Sequence, residues 1–146
     1  MSAAHKVFDP LGITCPVTLT PKLLLKQLWA HKIDWDTPLD EKIQIEFLRW
    51  NDVLNLLKII EIPRELGTMN LSLHTFCDAS KLACGIVIDL RSGNENEVNV
   101  CFVAAKSELA PENSTIPRLE LFAASTRSRL AHELNKVLSN KIPNYF

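Results

Sequence analysis

The run Leu71-Ser-Leu-His-Thr-Phe-Cys-Asp78 decides the fold class, because its side chains alternate in character from one residue to the next. Successive side chains of a β-strand point to opposite faces of the sheet. Ser72, His74, Phe76 and Asp78 are therefore predicted to share one face of a strand that ends near Asp78.

Two further strands and a helix follow this run. Residues 82–90 (LACGIVIDL) are apolar on both sides, as expected of a central strand. Residues 98–105 (VNVCFVAA) are predicted to pair antiparallel with them across a polar loop at residues 91–97. Ser114-Thr-Ile-Pro117 predicts a helix that continues to about Leu138. The order strand, strand, strand, helix indicates an α/β or α+β layer with the helix packed on the sheet.

The residues before the sheet carry helical periods. Thr20-Pro21 predicts the start of a helix that runs to about His31, and Thr37-Pro-Leu-Asp40 predicts a second start. Apolar residues between Ile43 and Leu57 recur at steps of four and three, the pattern of a helix with one buried face. A Pro and a Gly within residues 62–67 indicate a linker between the two halves.

The composition is typical of a globular protein. The chain has 146 residues, 47% of them hydrophobic and 23% charged, with a net charge of −1. This balance excludes a uniformly basic nucleic-acid-binding protein. The four cysteines form no CxxC pair and have no zinc-finger spacing, which favours reduced thiols. Because the sequence shows neither a signal segment nor an apolar run of about 18 residues, we expect a cytoplasmic, intracellular chain without membrane contact.

Asp78 and Glu120 are the candidate site residues. A carboxylate at the end of a strand and one in the first turn of a packed helix can meet at the rim of a sheet, and carboxylate oxygens are ligands that Mg²⁺ and Mn²⁺ prefer. The same positions also suit structural roles, since Asp often stabilises turns and a first-turn Glu favours the helix dipole. From the residues alone, both interpretations stay open.

Several separated motifs resemble one family. Phe76-Cys-Asp-Ala-Ser80, Gly85 and Ala104-Ala-Lys-Ser107 resemble the first three strands of the ribonuclease H domain in retroelement polyproteins. Ile116-Pro-Arg-Leu-Glu-Leu121 is similar to the start of that domain's first helix, which bears its second catalytic carboxylate. Upstream motifs narrow the resemblance to BEL/Pao LTR retrotransposons, in the region that joins reverse transcriptase to ribonuclease H. These motifs are Val7–Gly12, Pro16-Val17, Leu28-Trp29 and Asp34–Asp36.

The resemblance implies an α+β fold in two parts. Residues 1–67 would be a helical segment like the thumb or connection of a reverse transcriptase, and residues 68–146 the N-terminal half of a ribonuclease H-like domain. It implies cleavage of the RNA strand of an RNA–DNA hybrid with two Mg²⁺ or Mn²⁺ ions. Asp78 would bridge both ions and Glu120 would hold one. The predicted nucleic-acid contacts are Ser80, Lys106 and Arg118; a solvated surface role suits Lys106 and Arg118 equally.

The family site uses four carboxylates, and this sequence lacks the later ones. Its last Asp is Asp89, and beyond Glu120 its only carboxylate is Glu133. Helix geometry turns Glu133 about 140° from Glu120 and places it roughly 20 Å further along, too far to complete the site. We therefore expect a sheet of three antiparallel strands, weak metal binding, and a polyprotein fragment that is inactive without the remaining ribonuclease H and reverse transcriptase segments. The alternative is a non-catalytic remnant, decayed or host-adopted, that binds nucleic acid or a protein partner.

An aspartic peptidase site is not indicated by the sequence. Such a site needs an Asp-Thr/Ser-Gly turn, and the nearest match is Asp36-Thr-Pro38. Because Pro stands in place of Gly, this segment predicts the start of a capped helix instead.

Overall fold

The computed structural model describes residues 7–34, 36–63, 67–94, 97–138 and 142–146. The chain divides into two compact units, Met1–Glu61 and Ile62–Phe146. Part of the predicted linker, Arg64–Leu66, and two residues of the predicted loop, Glu95 and Asn96, lie outside the described residues. The resemblance of the first unit to a reverse transcriptase thumb or connection stays a prediction.

The first unit is helical. Helix α1 spans Cys15–Ala30, α2 spans Glu41–Val53, and a 3-10 helix follows at Leu54–Ile59. The predicted start of α1 at Thr20-Pro21 is wrong. The helix begins at Cys15 because Pro16 suits its first turn. The Asp9 carboxylate also accepts hydrogen bonds from the N–H groups of Ile13 and Thr14 just ahead of it, at 3.0 and 2.7 Å.

Pro21 lies inside α1 and leaves one helix carbonyl without its usual donor. Proline has no N–H, so it cannot donate to the Val17 carbonyl four residues earlier. The Trp50 Nε1–H of α2 donates to that carbonyl instead, at 2.7 Å, and the Trp50 side chain is buried. A tertiary hydrogen bond thus replaces the missing helical one and joins α1 to α2.

Helix α2, in contrast to α1, begins later than predicted. Its N-cap residue is Asp40, whose extended backbone suits that position. Thr37 lies in an exposed bend and does not cap the helix. The predicted apolar face is confirmed, because Trp50 is buried and its neighbours on the stripe are half-buried; these are Ile43, Phe47, Leu54 and Leu57.

The second unit is a mixed sheet with one long helix. Its elements are β1 (Ser72–Ala79), β2 (Ala83–Gly93), β3 (Val98–Leu109), α3 (Ile116–Val137) and β4 (Asn144–Tyr145). The strand order is β3-β2-β1-β4. The α+β class and the three antiparallel strands are confirmed. The sheet does not end there, since β4 pairs parallel to β1 at Leu73 and His74. A two-residue strand has no alternation from which it could be predicted.

Helix α3 covers one face of this sheet. The core consists of sheet residues Leu73, Ile86, Ile88 and Leu90, together with Cys84 and the α3 residues Ala123 and Ala131. His74, Phe76 and Asp78 alternate with the core residues of β1 and lie on the opposite face. We call that opposite face the open face. Phe76 is 59% exposed there.

A β-bulge in β3 exchanges the two faces of that strand. Ile88 lies opposite Ala104, and the next residue, Asp89, lies opposite Phe102, so Val103 is the extra residue. Beyond the bulge, Ala104 and Lys106 share the α3 side with the core. Before the bulge, Val98, Val100 and Phe102 lie on the open face.

Candidate functional site

Asp78 lies on the open face near the end of β1, and its side chain is exposed. Its cross-strand neighbour is Gly85 of β2. A methyl group added at Gly85 would meet no atom within 4 Å. The space beside the Asp78 carboxylate is therefore open to a substrate or a cation.

Glu120 is the fifth residue of α3, and its predicted place in the first turn is wrong. The helix begins at Ile116, because Thr115 keeps an extended backbone (φ −78°, ψ 155°), and no acidic residue stands in the first turn. A helix dipole acts mainly within that turn, so dipole stabilisation is a weaker explanation for Glu120. Its side chain is exposed, and α3 packs against β1, the strand that carries Asp78.

Carboxylate oxygens are the ligands that a hard divalent cation prefers, but two carboxylates are too few to form its shell. Mg²⁺ requires a nearly ideal octahedral shell of oxygen ligands. Within the described ranges, no three His, Cys, Asp or Glu side chains come together to hold a metal ion. Glu133 stands roughly 20 Å beyond Glu120 along α3, too far to share an ion with it, and pairs with Lys136 at 2.9 Å. The described residues therefore do not form a complete metal site.

Ser80, a predicted nucleic-acid contact, closes the turn between β1 and β2. Its hydroxyl donates to the Ala83 carbonyl at 2.9 Å. It also accepts from the N–H groups of Leu82 and Ala83, each at 3.2 Å. This gives Ser80 a structural role next to Asp78, and its contact with nucleic acid stays a prediction.

Lys106 lies on the α3 side of the sheet and Arg118 on α3 itself, as Glu120 does, whereas Asp78 lies on the open face. Lys106 lies opposite the core residue Ile86, hence on the α3 side, and its ammonium group pairs with Glu108 at 2.6 Å. Arg118 precedes Glu120 by two residues, which places it about 200° around the helix. Nucleic-acid binding by these two residues also stays a prediction.

A polar cluster lies further along the open face, where Ser72 and His74, predicted to share a face with Asp78, meet two residues that the sequence did not indicate, Asp89 and Tyr145. Ser72 Oγ and His74 Nε2 are 3.0 Å apart, and the His74 ring stacks on Tyr145 of β4 at 5.1 Å. Asp89 lies opposite His74 in the register. Burial raises the pKa of the Asp89 carboxyl, and the charge of His74 opposes that rise. His74, Asp89 and Tyr145 are far apart in the sequence and become neighbours only because their strands pair in the sheet.

Arg127 was also missing from the predicted site residues. It follows Glu120 by seven residues, so the two lie on the same flank of α3 about 10 Å apart along the axis. Its guanidinium lies 5.0 Å from the centre of the Phe146 ring. Its Nε is buried and has no hydrogen-bond partner among the residues that the structure describes. The flank that carries Glu120 thus also carries a partly buried cation.

A sheet of order β3-β2-β1-β4 covered by one helix, with Asp78 on β1 and Glu120 on that helix, is consistent with a ribonuclease H-like domain. The model of the Pao retrotransposon-like RNaseH-like domain family matches residues 1–146. The chain belongs to this family, and the predicted resemblance is confirmed. A search of curated proteins gave no match. In the described part of the chain, no helix is long and apolar enough to cross a membrane.

Proposed function

We propose that this chain contributes Asp78 and Glu120 to a ribonuclease site of a Pao-type retrotransposon polyprotein, where the RNA strand of an RNA–DNA hybrid is cleaved. The observation that carries the proposal is the exposed Asp78 beside the open space at Gly85, on a strand against which the Glu120-bearing helix packs. Membership of a retrotransposon ribonuclease H-like family supports it.

The chain alone is inactive in this proposal. Two carboxylates bind Mg²⁺ or Mn²⁺ weakly, so cleavage requires carboxylates from the remaining ribonuclease H segments of the polyprotein, which also carries the reverse transcriptase. The hybrid is held through its backbone and 2′-hydroxyl groups and not by base reading. In this proposal, the hybrid is cleaved in the cytoplasm, within the retrotransposon particle.

Hybrid binding without metal tests the position of the substrate. A carboxylate near a phosphate backbone opposes binding, and one such surface charge is worth up to about 1 kcal/mol. We therefore expect Asp78→Asn and Glu120→Gln to bind a fluorescent RNA–DNA hybrid about two- to fivefold more tightly than the unmutated chain. Asp36→Asn, an exposed carboxylate of the first unit, is the matched control and should change nothing. Unchanged affinity in both site variants would contradict the proposed position.

Cleavage of the same labelled hybrid in Mg²⁺ or Mn²⁺ tests the inactivity. We expect no cleavage by the unmutated chain. Cleavage that both Asp78→Asn and Glu120→Gln abolish would show that a complete site forms from this chain, for example between two copies. The second candidate is a remnant that binds a partner without cutting. The absence of a three-residue ligand cluster within the described ranges favours it, and failure to bind the hybrid at all would support it.

A further inference from the structure

β3 is an edge strand of the described sheet, and its residues 98–105 carry neither of the sequence features, charge and proline, that usually protect such an edge. It stands at one end of the sheet and pairs with β2. Val98 and Val100 are 48% and 63% exposed. Proteins commonly guard such edges with charges, prolines or a covering segment, because an unguarded edge pairs with other strands.

The hydrogen-bond pattern shows which residues face this edge. The Asn94 N–H donates to the Glu97 carbonyl at 2.9 Å, which closes the hairpin. Hydrogen-bonded and non-hydrogen-bonded pairs alternate along an antiparallel ladder. The pairs of β2 with Val98, Val100 and Phe102 are therefore of the second kind. The backbone N–H and C=O groups of these three residues point away from β2, towards the outer edge.

We propose that two copies of this chain associate by antiparallel pairing of their β3 edges about a twofold axis at Val100. In this register, Val100 lies opposite Val100 of the second copy, and Val98 lies opposite Phe102. Every outward backbone group of the three residues then has a partner. Their side chains all lie on the open face, so each cross-strand contact is apolar against apolar, which stabilises a sheet.

Charges at the two ends of the interface are complementary, with Lys106 able to join Glu97 of the second copy in addition to Glu108 of its own chain. Because Val103 is the extra residue of the bulge, Ala104 follows Phe102 in the register and lies opposite Glu97 of the second copy. Lys106 is the next residue on that face, diagonal to Glu97 and within reach of a long side chain. The twofold axis creates this Lys–Glu contact twice. A second copy is therefore an occupant that matches the edge in backbone, apolar surface and charge.

The oligomeric state of the full chain tests the proposal. By sedimentation analysis over a range of concentrations, we expect a reversible monomer–dimer equilibrium. Val100→Lys should raise the dimer dissociation constant at least about tenfold, because two lysines would then lie opposite each other. Val87→Lys is the matched control: Val87 is exposed on the same face but lies on the inner strand β2, so the equilibrium should not change. Circular dichroism verifies that both variants fold.

A cysteine at position 100 tests the register. Hydrogen-bonded partners in an antiparallel pair have Cα atoms about 5.5 Å apart, within the range of about 4.4–6.8 Å that a disulfide requires. Val100→Cys should form a disulfide-linked dimer under mild oxidation, and Val87→Cys should not. A monomer at every concentration without this link would overturn the proposal. A dimer that Val100→Lys leaves intact, with equal linking by both cysteine variants, would overturn it as well.

Discussion

Asp89 couples the stability of the sheet to pH. Burial raises the pKa of its carboxyl above the ordinary value of 3.8, and the charge of His74 opposes the rise. A carboxyl with a raised pKa binds its proton more tightly in the folded state. Its contribution to stability is therefore fully present below about pH 3.8 and is lost as the pH rises through the raised value. We expect Asp89→Asn to increase the free energy of unfolding at neutral pH, and the gain to vanish below about pH 3.8.

Urea unfolding followed by circular dichroism at several pH values measures this effect. Asp36→Asn replaces an exposed carboxylate of the first unit and should leave the pH dependence unchanged. A lower stability of Asp89→Asn at neutral pH would contradict the prediction, since it would mean that the attraction of His74 outweighs the burial of the carboxylate.

Single residues of the site differ in how far the sequence reveals them. Asp78 and Glu120 stand within motifs of several neighbouring residues, so a resemblance can single them out. Asp89 and Arg127 become notable only through what they meet in space: His74 on the next strand, and Phe146 at the end of the chain. No local pattern contains those contacts. The side of the sheet on which Lys106 lies was equally hidden, because a one-residue bulge decides it.

Two glycines of β2 make a matched pair at the scale of the strand. Gly85 has open space where a side chain would stand, whereas Gly93 has a φ of +136° and the backbone of Glu97 close by. Removing a glycine in ordinary strand geometry reduces the entropy of the unfolded chain. Gly85→Ala should therefore stabilise the protein by about 0.4–1 kcal/mol. Gly93→Ala forces a positive φ on alanine and should destabilise it by about 1–3 kcal/mol.

Chemical denaturation of both variants beside the unmutated chain measures the two changes, and each variant serves as the control of the other. Equal effects of the same sign would contradict the positive φ and close backbone neighbour of Gly93 or the uncrowded strand position of Gly85.

A hydrogen bond joins α2 to α1 at the Val17 carbonyl, to which Pro21 cannot donate because it has no N–H. Trp50→Phe removes the donor to Val17 and should destabilise the protein by about 0.5–1.5 kcal/mol, because the half-buried Val17 carbonyl loses its hydrogen bond. In the background of Pro21→Ala, the restored N–H can bond Val17, so the same change should cost less. The double-mutant cycle isolates this coupling from the change in ring size.

Tryptophan fluorescence in urea is not suited to this cycle, because Trp50 is itself replaced, so circular dichroism is used throughout. We expect a coupling of about 0.5–1.5 kcal/mol. Additive effects of the two substitutions would show that Trp50 stabilises the helix pair by packing alone.

Elements with long regular patterns were predictable, and those that depend on tertiary contacts were not. β1, β2 and α3 each bury one repeating set of side chains, and β3 could be predicted from its run of apolar residues although a bulge exchanges its faces. The start of α1 was misplaced because a proline normally opens a helix, while here Trp50 compensates for a proline inside one. β4 depends on two backbone pairings with β1 and on the stacking of Tyr145 on His74, so only the folded sheet defines it.

At the scale of the whole molecule, the sheet and helix pack together, but the described residues supply too few ligands for a metal site. The sheet, its covering helix and a two-residue fourth strand place Asp78 and Glu120 on elements that pack together. A metal site needs several oxygen atoms at fixed positions, and two carboxylates do not supply them.

Thermal unfolding with and without Mg²⁺ measures this incompleteness. A ligand that binds only the folded state at about 100 times its dissociation constant adds about 2.7 kcal/mol, on the order of 10 °C in Tm for a unit of this size. We expect about 10 mM Mg²⁺ to raise Tm by less than about 2 °C, which corresponds to a dissociation constant above roughly 20 mM. Asp78→Asn removes one of the two proposed donors and should leave even that small rise smaller. A rise on the order of 10 °C that Asp78→Asn abolishes would show that the folded chain, alone or as a dimer, assembles the full set of ligands.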